Sequence, residues 1–288
     1  MFLRVKRHVL VLLALLAVAC GGGAPVAQDV PPERIIALAP SVSELLFELG
    51  LGDRVVGVGD YSTWPPEAAT KPRLGGLFNP RLEQIATLEP DLAVLLESEA
   101  ALAEHLEQLG VPVLMVRSDS LDDVEDAINR ISSRCGVPAA GERLMDDWRA
   151  RLEPAPVGGI PSVLVTVGRP PGSLGGMLVA GPNTFVDELL ERLGATNALA
   201  DAPISYPEIG LEEVLLRQPT VIIELQPETL SAERRESLVK EWSVLPELPA
   251  VANGCIEVIE GDYVLLPGPR LPLLYEQMHE ALFSCQAR

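Results

Sequence analysis

Short apolar runs alternate along this chain with amphipathic segments that end in glycine, and the alternation occurs twice. In the first half, SELLFELG at 43–50 has the spacing of a helix closed by Gly50; VDELLERLG at 186–194 repeats the pattern and closes on Gly194. LEQI at 82–85 leads past Pro90 into the apolar run 92–95, and LEEV at 211–214 leads past Pro219 into 221–223. Each unit is a short helix, a proline break and then a compact apolar run with β-branched members, which predicts strands buried on both faces. Further strands are expected at 111–116, after a helix over 100–110, and at 162–167. Strands alternating with helices predict βαβ units and parallel sheets. The fold class is therefore α/β, with two similar lobes built on central, mostly parallel sheets.

Between the lobes, Val124, Ala127, Ile128, Ile131, Leu144, Met145, Trp148 and Leu152 recur at helical spacing, interrupted at Gly136-Val137-Pro138. The predicted organisation is a leader over 1–19, a tether over 20–33, a first lobe over 34–120, linking helices over 121–155 and a second lobe over 156–288. The leader has a basic start (Arg4, Lys6, Arg7) and an apolar stretch over 9–16 too short to span a bilayer. Ala17-Val18-Ala19-Cys20 follows and resembles a bacterial lipoprotein signal, which implies lipid on the Cys20 thiol; a plain secretory signal is the alternative. Export implies an oxidising compartment. Of the remaining cysteines, Cys255 and Cys285 could pair as a disulfide, which leaves Cys135 over.

Composition narrows the function. The 288 residues carry 22 Lys and Arg against 41 Asp and Glu, a net charge of −19. That excludes a basic face for nucleic acid and adhesion to anionic lipid by charge alone. No Gly-x-Ser-x-Gly elbow or phosphate-cradling loop is present, and the glycines over 168–176 lack dinucleotide-fold spacing. His105 and His279 sit in separate charged helical contexts with no partner ligand nearby, so neither catalysis nor a metal centre is expected.

What the pattern does offer is a cleft. Ligands of α/β sheets bind beyond the carboxyl ends of the strands. The loops at 59–66 and 75–80 in the first lobe, and at 168–177, 202–208 and 262–269 in the second, supply Tyr61, Trp64, Phe78, Tyr206 and Tyr263. Pro65, Pro66, Pro80 and Pro207 stiffen them. Flat faces on stiff loops suit a flat or bulky, partly apolar ligand.

The residues RIIALAPS at 34–41, Glu44-Leu45, Val56-Gly57-Val58, Tyr61-Ser62, PPEA at 65–68, NPRLE at 79–83 and Pro90-Asp91-Leu92, with GPNTFVDEL at 181–189, together carry a resemblance over nearly the whole mature chain. The chain resembles the periplasmic substrate-binding proteins of ABC importers for cobalamin, and the related iron-siderophore and haem binders. The resemblance implies two lobes joined by one long helix, a cobalamin or related corrinoid as bound ligand, and delivery to a dimeric membrane permease. It also implies a monomer outside the cytoplasm, with lipid as its only hold on the membrane. By position, Tyr61 matches a tyrosine that packs on the corrin, Tyr206 stands where a cobalamin binder has tryptophan, and Asp262, followed by Tyr263, matches an aspartate near the amide-bearing edge. Leu77 and Leu266 depart from the pattern, where tryptophan and arginine are expected, so an iron-siderophore or haem ligand stays open. Glu83 and Glu212 hold equivalent places in the two lobes and match a pair that docks on permease arginines. A module for assembly or sensing without a small ligand is the alternative of another class.

Overall fold

Strands β1 (Ile35–Ala37), β2 (Val55–Val58), β3 (Leu92–Leu96) and β4 (Val113–Val116) form a four-stranded sheet in the order β2-β1-β3-β4, every pair parallel. This is a computed structural model, and it describes residues 30–159 and 161–287. The leader, the lipidation candidate Cys20 and most of the tether lie outside the described residues. The sheet explains its own sequence. Ile35, Ala37 and Val94 point into one apolar core, while Ile36, Ala93 and Leu95 point into another on the opposite face. A strand covered on both sides has no polar face to alternate with, hence the unbroken apolar runs. Helices α1 (Pro40–Glu48), α2 (Leu82–Thr87) and α3 (Ala100–Gln108) supply the cover. The ladder begins at Val113 rather than at Val111, because Pro112 has no N–H to donate; only its carbonyl is used, by Ala93 N at 2.9 Å.

The connection between the lobes is helical and breaks where Gly136 does, giving α4 (Leu121–Arg134) and α5 (Pro138–Arg151). Ser120 starts α4 with a capping box: its Oγ accepts from Asp123 N at 3.1 Å, and an Asp123 carboxylate oxygen accepts from Ser120 N at 3.2 Å. The two helices pack closely, since a Cβ on Gly141 would stand 2.3 Å from Ser132 Oγ.

The second lobe contains β5 (Ser162–Gly168), β6 (Met177–Val179), α6 (Phe185–Arg192), β7 (Thr196–Asn197), β8 (Glu208–Ile209), α7 (Leu211–Arg217), β9 (Val221–Gln226), α8 (Ala232–Glu241), β10 (Ile256–Glu260) and the terminal helix α9 (Leu271–Gln286). The sheet order is β10-β9-β5-β6-β8, with β7 beside the start of β5. β10, β9 and β5 run parallel, but β6 is antiparallel to both β5 and β8. The loop expected at 168–177 therefore runs into the antiparallel strand β6, and that at 202–208 into the edge strand β8. Such short strands between glycines and prolines are too brief to show periodicity.

One apolar core runs through both lobes: Leu46 and Val94 from the first, Ile128 and Trp148 from the link, Val165 and Ile223 from the second, and Leu274 and Met278 from α9. Trp148 Nε1 donates to the Gly268 carbonyl at 3.3 Å, and Tyr275 Oη donates to the Glu153 carbonyl at 2.9 Å. The lobes are thus fastened by the link and by α9 together. Of the two open alternatives for Cys255 and Cys285, the structure has thiols rather than a bridge. Cys255 Sγ lies 3.6 Å from the Cys285 carbonyl oxygen, and Cys285 Sγ lies 3.8 Å from a Glu257 carboxylate oxygen. Cys135 is fully buried, and burial pushes its thiol up to about 11.

Candidate ligand-binding site

The carboxyl ends of the parallel strands in the two lobes face each other, and Arg270 shows where they meet. Its Nε donates to Glu44, on α1 of the first lobe, at 2.9 Å, and its Nη1 donates to Asp262, beyond β10 of the second lobe, at 2.6 Å. The guanidinium also lies over the Trp64 ring at 5.2 Å and the Tyr263 ring at 5.1 Å. Gly268, two residues before Arg270, packs on the first lobe, where a Cβ would touch Ser41 at 3.4 Å. Burial holds the Glu44 carboxyl above its ordinary value, against the lowering pull of Arg270. Trp64 therefore packs on a cation of the opposite lobe. Asp262 is an ion-pair partner, and Tyr263 is held from the other side by donating its Oη to Gln277 at 2.9 Å. These three side chains gather around Arg270 at the root of the cleft, with Trp64 and Asp262 still partly exposed.

Tyr61 stands on the open part. Its two neighbours in sequence are both tied down. Asp60 N donates to the Gly75 carbonyl at 2.9 Å, and the Asp60 carboxylate accepts from Arg81 at 3.1 Å. Ser62 is buried, with its Oγ 2.9 Å from Ser43 Oγ. Arg73 Nη1 donates to the carbonyls of Gly59 and Ser62, both at 2.8 Å. Gly59 is required here, because a Cβ would stand 1.9 Å from the Leu38 carbonyl oxygen. With both flanks fixed, the Tyr61 side chain has only outward space, and it is 76% exposed. Its ring lies over Gly76, where a Cβ would be 3.6 Å from Cε2. Leu77 and Phe78 follow directly and are exposed, Phe78 to 95%. The first lobe thus presents a contiguous apolar surface on a braced loop pair.

The second lobe answers with the turn at 203–207. Gly181 N donates to the Ser205 carbonyl at 2.7 Å, and Val179 N donates to the Pro207 carbonyl at 3.1 Å. A Cβ on Gly181 would meet the Ile204 carbonyl oxygen at 2.8 Å, so the turn sits directly on that glycine. Ile204 and Tyr206 are left exposed. Tyr206 is only 40% exposed, and burial around its phenol, with the Asp119 charge adding to it, pushes it up to about 12; like any tyrosine, its hydroxyl can donate at neutral pH. Asp119 also brings the lobes together here, since its carbonyl accepts from Phe185 N at 3.1 Å.

Sequence reasoning missed the polar frame beneath these loops. Glu224 is 0% exposed within β9 and accepts from Arg169 Nε at 2.9 Å, Thr166 Oγ1 at 3.1 Å and Trp242 Nε1 at 2.7 Å. Arg169 also pairs with Glu241 and donates to the Ser173 carbonyl at 3.1 Å, which pins the glycine-rich loop after β5. Glu83 and Glu212 lie in the first turns of α2 and α7, both exposed and without an ion-pair partner among the described residues. A hollow of about 450 Å³ between α8, β10 and α9 is lined by Arg235, Glu257, Glu260 and Gln277; it holds none of the cleft aromatics. No group of three or more His, Cys, Asp or Glu able to hold a metal ion occurs among the described residues.

Two α/β lobes, a helical link and a cleft faced with aromatics define a solute-binding protein. The periplasmic binding protein family model matches residues 35–263, and the chain belongs to that family. Its activity is accordingly the binding of a solute in the periplasm, not catalysis. Among its relatives, the vitamin B12-binding protein of Vibrio cholerae serotype O1 is 28% identical over 262 residues, covering 88% of this chain and 90% of the relative. The structure of the periplasmic vitamin B12 binding protein BtuF of Vibrio cholerae is 26% identical, with a TM-score of 0.72 and coverage of 90% of this chain and 100% of that one. The periplasmic heme-binding protein RhuT from Roseiflexus sp. RS-1 is 29% identical, with a TM-score of 0.71 and coverage of 88% and 98%.

Proposed function

We propose that this protein is the receptor of an ABC-type importer, that it captures cobalamin or a related corrinoid between its lobes, and that it hands the ligand to a permease dimer. The observation that carries this reading is a braced, exposed aromatic surface on each lobe: Tyr61 over Gly76 with Leu77 and Phe78 on one, and Tyr206 with Ile204 on the other. Apolar side chains exposed singly need no explanation, but a contiguous group on stiff loops at a cleft marks a binding surface. A flat macrocycle can lie on such faces at little entropic cost. The vitamin B12-binding relatives support the corrin over other flat ligands.

Glu83 and Glu212 are the docking charges in this proposal, one per lobe, without an ion-pair partner among the described residues and set at equivalent helix starts. The protein works as a monomer tethered by lipid on Cys20. The test is a titration with cyanocobalamin, followed by intrinsic fluorescence and by the visible bands of the ligand. A dissociation constant well below ~10 μM is expected; anything weaker than that, near −7 kcal/mol, is too weak for a scavenger and overturns the reading.

A further inference from the structure

Resting on the corrinoid reading, we infer that the cleft selects by charge: it takes macrocycles whose side arms are uncharged amides and rejects those whose side arms are carboxylates. The argument is a census of cations at the facing strand ends. Arg81 is taken by Asp60 at 3.1 Å. Arg117, beyond β4, is surrounded by Asp119 and Asp123 at 3.6 Å and Glu97 at 3.9 Å. Arg169 is buried between Glu224 and Glu241. Arg270 is held by Glu44 and Asp262. Arg73 spends its guanidinium on the carbonyls of Gly59, Ser62 and Ala69. Among the described residues, these loops hold no Lys or Arg without an internal acceptor.

A ligand carboxylate entering the cleft therefore meets no cation free of an internal acceptor. At Arg169 and Arg270 it would have to displace a buried carboxylate, which leaves that group uncompensated. The groups that do remain available are acceptors and neutral donors. Glu208, beside Tyr206, is exposed and has no ion-pair partner among the described residues. The Tyr61 and Tyr206 hydroxyls complete the set. Carboxylate acceptors and phenol donors match amide N–H and C=O groups, and they repel anions. The net charge of −19 adds a long-range field of the same sign.

The experiment compares, at pH 7.5, cyanocobalamin, a cobyrinic acid carrying free carboxylates in place of the amides, and haem with its two propionates, each titrated into the full chain. The expected result is that the amide corrinoid binds about 100-fold or more tightly than its carboxylate analogue, since like-charge contacts in an interface are strongly unfavourable. Glu208→Arg, a change at an exposed position, is expected to narrow that gap about tenfold. Equal affinity for the amide and acid forms, or a gap unmoved by Glu208→Arg, overturns charge selection while leaving the corrinoid reading intact. Binding of haem alone, or of none of the three, overturns both.

Discussion

Removing the Arg270 side chain is the most direct test of how the cleft root is built. The ion pair with Glu44 joins two lobes through side chains that are 11% and 3% exposed, respectively. In Arg270→Met the Glu44 carboxylate stays in its apolar surroundings without a counter-charge, which typically costs about 3–5 kcal/mol. The cation–π contacts to Trp64 and Tyr263 go as well, each about 0.5–1 kcal/mol where partly exposed. Glu44→Met combined with Arg270→Met removes both charges at once, so that double variant is expected to recover most of the loss and to fall short by only ~1–2 kcal/mol. The gap between it and the sum of the singles is the coupling energy of the pair. The sign of the pH dependence is fixed by Glu44. Its folded pKa is already raised, so the folded state holds a proton that the unfolded state has released, and stability falls as pH rises through that window. Without Arg270, the strongest lowering influence on Glu44 is gone and the window widens upward. The defect of Arg270→Met relative to the parent should therefore be small near pH ~4.5 and grow toward pH ~7.5. Urea titrations of the three variants at both pH values read this directly, because one core links the lobes into a single unfolding unit. A loss below about 1 kcal/mol at neutral pH, or a loss that does not change with pH, refutes the argument.

The remaining predictions concern the open cleft and the outer face. Tyr61→Ala removes a side chain that is 76% exposed, so unfolding free energy should stay within about 0.5 kcal/mol of the parent while cyanocobalamin binding weakens about tenfold in a fluorescence titration. Gly59→Ala places a Cβ 1.9 Å from the Leu38 carbonyl oxygen and should cost about 1–3 kcal/mol by denaturant titration, with ligand affinity reduced because the Tyr61 loop must shift. Glu83→Arg together with Glu212→Arg should leave ligand affinity unchanged and suppress uptake of labelled cobalamin by cells; normal uptake would remove both residues from the docking surface.

How much of this could be seen in the sequence follows from the distance over which each feature acts. Helix ends were legible because Gly50 and Gly194 close their helices within one turn, at φ of +75° and +68°. The central strands were legible because burial on both faces leaves an unbroken apolar run, as in Leu92–Leu96. The exposed position of Tyr61 and Tyr206 on proline-flanked loops was legible because loop chemistry is local. The charge network was not. Glu44 and Arg270 are 226 residues apart, one inside a helix and the other at a helix cap, and each alone is an ordinary charged residue. Glu224 interrupts the apolar run of β9 with one charge, and its partners Arg169 and Trp242 are 55 and 18 residues away. The antiparallel pair β6 and β8 was hidden for another reason: strands of three and two residues cannot display a period of two.

That division has a consequence for ligand choice. The aromatic platforms that invite a flat ligand are written locally, whereas the pairs of Arg169 with Glu224 and of Arg270 with Glu44 are written only in the fold. A binding protein can therefore keep the loop pattern of its family and still change the charge of ligand it accepts, by adding or deleting a single carboxylate far away in sequence. In this chain Asp60, Asp119, Glu224 and the Glu44–Asp262 pair each silence one guanidinium, so the selectivity of the cleft resides in its carboxylates more than in its rings.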